Sequence, residues 1–179
     1  MNNIYYNNDN TELLYENGED GKFIITGYAA LFNHKNLNNE VVFETSFDSS
    51  MQMIADGQLK PYLNYEHNPD KIIGGIDNVE KDKKGLIITS HLNRKIKWVD
   101  EWLCPLIENG DIKSYSTEGT VLSPDDIVEN SDGSYTVKNF ILLGCAITKT
   151  PAEWQSEFSI ANAIKSFESE RVKSKWYLF

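Results

Sequence analysis

Residues 112–121 read Ile-Lys-Ser-Tyr-Ser-Thr-Glu-Gly-Thr-Val, a run that places a serine in mid-strand with small residues and a glycine just beyond it. Successive side chains of a strand point to opposite faces. Ser114, Ser116 and Glu118 therefore share one face, hydroxyl-rich and acidic, and Tyr115, Thr117 and Gly119 share the other. Serine and threonine are common on the wet side of antiparallel strands, so the pattern gains weight only beside a second stretch. That stretch is Tyr62-Leu63-Asn64-Tyr65-Glu66-His67-Asn68-Pro69, an apolar strand that ends on a histidine, with a turn and the pair Gly74-Gly75 after it. A histidine at a strand end beside a loop is free to titrate. Ser116 and His67 are thus the candidate nucleophile and base.

The rest of the chain supplies a sheet to hold them. A β-rich run over 22–32 follows the turn signal Asn17-Gly18, which marks a hairpin. A short strand at 40–44 precedes a helix over 46–57, where Phe47, Met51 and Ile54 recur at helical steps, Ser46 caps and Gly57 closes. Strands follow at 61–66, 72–77 and 85–92, with Asp82 and Gly85 shaping the turn between the last two, Gly85 through positive φ. A helix over 94–109, capped by Asn93 and ended by Gly110, carries Pro105 inside its apolar stripe and should kink or split there. A hairpin tip at 131–134 leads to one long strand over 135–149, whose near-continuous hydrophobicity implies burial on both faces, and a last helix falls at about 156–173. The expected fold is α+β: about seven strands, mostly antiparallel and barrel-like, with about three flanking helices. One domain over 1–179 is expected, with 1–10 loose and 153–179 forming the C-terminal helix and tail.

Composition narrows the function. The chain is 40% hydrophobic and 12% aromatic, so it can build a core, and a net charge of −10 opposes binding to nucleic acid. Cys104 and Cys145 lie inside apolar runs, which suits free buried thiols, and His34, His67 and His91 fall in no zinc-like cluster. No metal or cofactor is expected. Nothing in the sequence matches a phosphate-binding glycine loop, a secretory leader or a membrane span.

Six short stretches, in order across about 130 residues, resemble the prohead (capsid maturation) proteases of tailed bacteriophages, a family that shares its barrel-like fold with herpesvirus assemblins. They are Gly27-Tyr28-Ala29-Ala30-Leu31-Phe32-Asn33; Glu40-Val41-Val42-Phe43-Glu44-Thr45-Ser46-Phe47; Tyr65-Glu66-His67-Asn68-Pro69 with Ile73-Gly74-Gly75-Ile76; Asp82-Lys83-Lys84-Gly85-Leu86; Asp111-Ile112-Lys113-Ser114-Tyr115-Ser116-Thr117; and the closing segment 147–152, which ends in Pro151-Ala152. The resemblance implies a serine endopeptidase with Ser116 as nucleophile and His67 as general base. An oxyanion site would come from backbone near Ser116 or from a Gly74-Gly75 turn. Many such sequences carry a glutamate seven residues before the closing Pro-Ala, and this chain has Gly144 there. A third, orienting carboxylate must come from elsewhere; Glu40 is the first candidate, then Glu118 and Glu66, and a dyad is the remaining option. Scaffold protein, or the scaffold segment of the major capsid protein, is the implied substrate, cleaved inside the prohead in the host cytoplasm. Self-processing, self-association and a short or already trimmed chain are further implied. The alternative is an inactive capsid-assembly or scaffold-associated protein with the same fold.

Overall fold

Two-residue alternation sets the frame. In the computed structural model of the chain, which describes residues 14–17, 22–36 and 38–149, strand β2 (Phe23–Leu31) turns Phe23, Ile25 and Ala29 into the core and leaves Ile24, Thr26 and Tyr28 half-covered. Strand β6 (Gly85–Leu92) does the same with Leu86, Ile88, Ser90 and Leu92. These two pair antiparallel along their length.

They belong to a seven-stranded sheet in the order β1-β2-β6-β5-β4-β10-β7. Its other members are β1 (Leu14–Asn17), β4 (Tyr62–Tyr65), β5 (Asn68–Lys81), β7 (Ser114–Thr120) and β10 (Ile141–Thr148). Every neighbouring pair in it is antiparallel except β4 with β10. A second sheet of three strands, β3 (Glu40–Val42), β9 (Tyr135–Val137) and β8 (Ile127–Glu129), stands beside it. The large sheet curls into a half-barrel, because right-twisted strands bearing apolar residues on one face close around them. Tyr115, 1% exposed, spans the enclosed core: its hydroxyl donates to Ile25 O at 3.1 Å and lies 2.5 Å from Ser90 Oγ. One end strand is thereby tied to β2 and β6.

Two helical segments pack on this sheet. A 3₁₀ turn (Glu44–Phe47) runs into α1 (Asp48–Ala55), which ends before Gly57 at φ 70°. Ser50 fastens α1 to the approach of β10, donating to Phe140 O at 2.6 Å and accepting from Leu142 N at 2.8 Å. The second segment is a wide π turn (Val99–Leu103) followed by α2 (Cys104–Glu108). Pro105 has no N–H to give the carbonyl four residues back. The chain widens just ahead of it, and Cys104 N–H reaches Val99 O, five residues back.

Several expectations are corrected. Among the described residues there are ten strands in two sheets and two main helical segments; the last helix, the Pro-Ala segment, the N-terminal ten residues and the turn at 18–21 lie outside them. The long strand over 135–149 is two strands in different sheets, parted at 138–140, because its first half pairs with β3 and β8. Strand β5 is more than twice as long as expected, and Gly74 and Gly75 lie inside it, not in a turn. Gly85 does not adopt positive φ. It is needed because a Cβ there would come within 2.2 Å of Ala30 O.

Tyr115→Phe tests the cross-core tie. Removing one partner from a buried hydroxyl and a carbonyl should cost about 1–3 kcal/mol in urea unfolding with an unchanged slope and an unchanged far-UV spectrum.

Candidate active site

Strand register decides which side chains meet. Gly144 of β10 is partnered by Tyr62 on one side and Glu118 on the other, and Ala146 by Asn64 and Ser116. Partnered residues project to the same face. Tyr62, Asn64, Ser116 and Glu118 therefore stand in two adjacent rows across three strands, with a glycine and an alanine between them.

His67 joins them from a turn. Tyr65 pairs with Asn68, so β4 and β5 are joined by Glu66 and His67 alone. Both have left-handed backbones, at φ 54° and 55°, as a two-residue hairpin of the I′ kind requires. This brings the His67 ring over the sheet, with Nδ1 at 2.8 Å from Glu118 Oε1.

Glu118 is the centre of the arrangement. It is 5% exposed and accepts three hydrogen bonds: from His67 Nδ1, from Asn64 Nδ2 at 2.9 Å and from Tyr62 OH at 2.6 Å. Burial is the largest influence on its carboxyl and pushes the pKa up. The three hydrogen bonds and the charge of His67 together outweigh it, so the group ends below its ordinary 4.5. An ionised carboxylate only accepts, so Nδ1 of His67 carries the proton it donates. In the neutral ring the lone pair then sits on Nε2, available as a base.

The empty face of Gly144 makes this possible. A Cβ there would lie 2.4 Å from the Tyr62 ring. Only a glycine lets that ring cross β10 and deliver its hydroxyl to Glu118.

Ser116 lies two residues before Glu118, about 7 Å along the same face. It is fully buried, and its Oγ has no hydrogen-bond partner; Asn64 Oδ1 is in the same state. Buried polar atoms are nearly always paired, so these two, side by side across Ala146, set this row of the sheet apart. The thiols offer no rival nucleophile. Burial pushes Cys104 up to about 11 and Cys145 well above its ordinary value, which keeps both protonated.

The other sequence candidates fall elsewhere. Glu40 lies in β3 of the smaller sheet, where its carboxylate accepts from Asn36 Nδ2 at 3.0 Å. The carboxylate on His67 is that of Glu118, the second candidate, for the reason of register just given. Glu66 turns to the end of β10, accepting from Thr148 Oγ1 and Lys149 N. Gly74 and Gly75 pack against the backbone and ring of His91, which itself bonds Asp77 at 2.7 Å. Tyr62 and Asn64 were not singled out from sequence. Strand alternation ahead of His67, which sets both on one face, was the available signal.

A curled, mostly antiparallel sheet thus carries an imidazole–carboxylate pair and a buried serine on one face. The chain belongs to the caudovirus prohead serine protease family, whose model matches residues 10–171. Among solved structures it is similar to the bacteriophage T4 capsid assembly protease, with a TM-score of 0.56 at 14% identity, over 79% of this chain and 96% of that one. Varicella-zoster virus protease matches with a TM-score of 0.39 at 11% identity, over 82% of this chain and 76% of that one. No curated protein is significantly similar in sequence.

Two outcomes follow from this geometry. Gly144→Ala should displace the Tyr62 ring and destabilise the fold by about 1–3 kcal/mol, measured by thermal or urea melting. Because the Glu118 pKa is lower folded than unfolded, the unfolded chain binds more protons between the two values. Its contribution to stability is complete above the ordinary carboxylate value and is lost as pH falls through the folded one. Melting temperature recorded from about pH 6 down to pH 3 should fall less steeply in Glu118→Gln than in the parent.

Proposed function

We propose that the chain is a serine endopeptidase of phage capsid maturation in which Ser116 attacks, His67 moves the proton and Glu118 holds the imidazole. The observation that carries this reading is the hydrogen bond of His67 Nδ1 to a triply held Glu118 on the face of β7 that also bears the unpaired Ser116 hydroxyl. A serine hydroxyl is a weak nucleophile until an adjacent base takes its proton. In this scheme His67 Nε2 accepts the Ser116 proton as Oγ adds to the scissile carbonyl. Glu118 stabilises the imidazolium so formed. His67 then gives the proton to the leaving amine, and an acyl-serine remains, which water hydrolyses with the same imidazole as base.

Scaffold protein, or the scaffold segment of the major capsid protein, is the proposed substrate, and the proposed place of action is the assembling prohead in the host cytoplasm. Processing of the chain itself belongs to the same activity. Substrate must uncover Ser116, since its side chain is fully buried. That burial, with no hydrogen bond from Ser116 Oγ to His67, favours the alternative, an assembly protein that keeps the fold without turnover.

Cleavage of the phage's scaffold and major capsid proteins, followed by gel and mass spectrometry, separates the two. Ser116→Ala and His67→Ala should each lower kcat by about 10³-fold or more, and Glu118→Gln by roughly 10²- to 10⁴-fold, with native circular dichroism. Glu40→Gln should cleave like the parent. Retained cleavage in Ser116→Ala or His67→Ala removes the proposal, and absence of cleavage by the parent favours the assembly protein.

A further inference from the structure

The turn that carries His67 is built from residues that its backbone does not favour. Two consecutive left-handed residues call for asparagine or glycine. This turn has Glu66 at φ 54° and His67 at φ 55°. For His67 the chemistry proposed above is a reason; for Glu66 it is not, because the carboxylate on His67 is that of Glu118.

What Glu66 does instead is fasten the turn. Its backbone N–H donates to Ile147 O at 3.0 Å. Its two carboxylate oxygens accept from Thr148 Oγ1 at 3.0 Å and from Lys149 N at 2.8 Å. All three partners are at or just past the end of β10, the strand over which Tyr62 and Glu118 meet. The turn bearing the base is thus joined at one residue, through its backbone and its carboxylate, to the strand that lies between β4 and β7.

We infer that Glu66 is a positioning residue for His67, a reading that rests on His67 acting as the base. Without the two carboxylate bonds the turn is held to the β10 end by its backbone alone, and the imidazole is less closely fixed against Glu118. A misplacement of about 1 Å at a reacting group costs about a hundredfold in rate.

Glu66→Gly separates this role from a structural one, because glycine suits the left-handed turn while removing both carboxylate bonds and leaving the backbone bond to Ile147 O. It should fold with the parent's far-UV spectrum, and kcat for scaffold cleavage should fall by roughly 10- to 100-fold with KM within about twofold. Glu66→Gln should keep kcat within about threefold of the parent, since its amide offers an oxygen to Lys149 N–H and an NH₂ to Thr148 Oγ1. The low-field proton resonance of His67 Nδ1–H, expected from its bond to an ionised carboxylate, should persist in the parent and in Glu66→Gln and be lost or shifted in Glu66→Gly. Parental kcat with an unmoved resonance in Glu66→Gly overturns the inference, and so does a Glu66→Gln variant as impaired as Glu66→Gly. If Glu66→Gly does not fold, Thr148→Val loosens the same clamp from the other side; a reduced kcat and a shifted resonance support the inference, and parental values overturn it. His67→Ala in the same series tells the two readings apart: cleavage retained there sinks the base assignment itself, whereas cleavage lost there but kept in Glu66→Gly sinks only the role of Glu66.

Discussion

The hydrogen bond between His67 Nδ1 and Glu118 Oε1 is the interaction on which the rest of the site depends. A carboxylate taken out of water is costly unless its lone pairs are satisfied. Here three donors meet it, from a histidine, an asparagine and a tyrosine. Their combined effect holds the group ionised against the burial that opposes it. The ionised state in turn fixes the tautomer of His67. Electrostatics, tautomer and ring orientation are therefore one constraint, and the proposed chemistry draws on all three.

That constraint needs a particular sheet. Strand β10 runs parallel to β4 and antiparallel to β7, so it lies between the strand that leads into His67 and the strand that bears Ser116. The side chain missing from Gly144 lets the Tyr62 ring cross to Glu118. The end of β10 holds the turn through Glu66. Two further ties fix these strands: Ser50 bonds the start of β10 from α1, and Tyr115 ties β7 across the core to β2 and β6.

Much of this was legible in sequence. Alternation placed Ser116 and Glu118 on one face of β7, and the apolar run over 140–147, within the strand expected over 135–149, announced burial on both faces. The break in the regular helix at Pro105 was readable because a missing N–H has a local effect. What stayed hidden depends on register and pairing. Glu118 and Tyr62 meet only because both are opposite Gly144, and no local pattern states that. Glu40 ranked ahead of Glu118 until the pairing of β3 with β9 put it in another sheet. The Gly74-Gly75 pair read as a turn because glycine signals turns, whereas here it admits the backbone and ring of His91. The division of the run over 135–149 was missed because strand-forming residues lie on both sides of Lys138-Asn139 and the two halves are told apart by their partners.

The account stands on a serine made reactive by an imidazole that a buried carboxylate holds. Treating the protein with a peptidyl fluorophosphonate, whose peptide part stands in for the substrate that uncovers Ser116, and mapping the adduct by peptide mass spectrometry measures that reactivity at the residue itself. A single adduct on Ser116, absent when His67 is replaced by alanine, is the result this account requires. Labelling at another serine, or labelling of Ser116 that persists without His67, would contradict it.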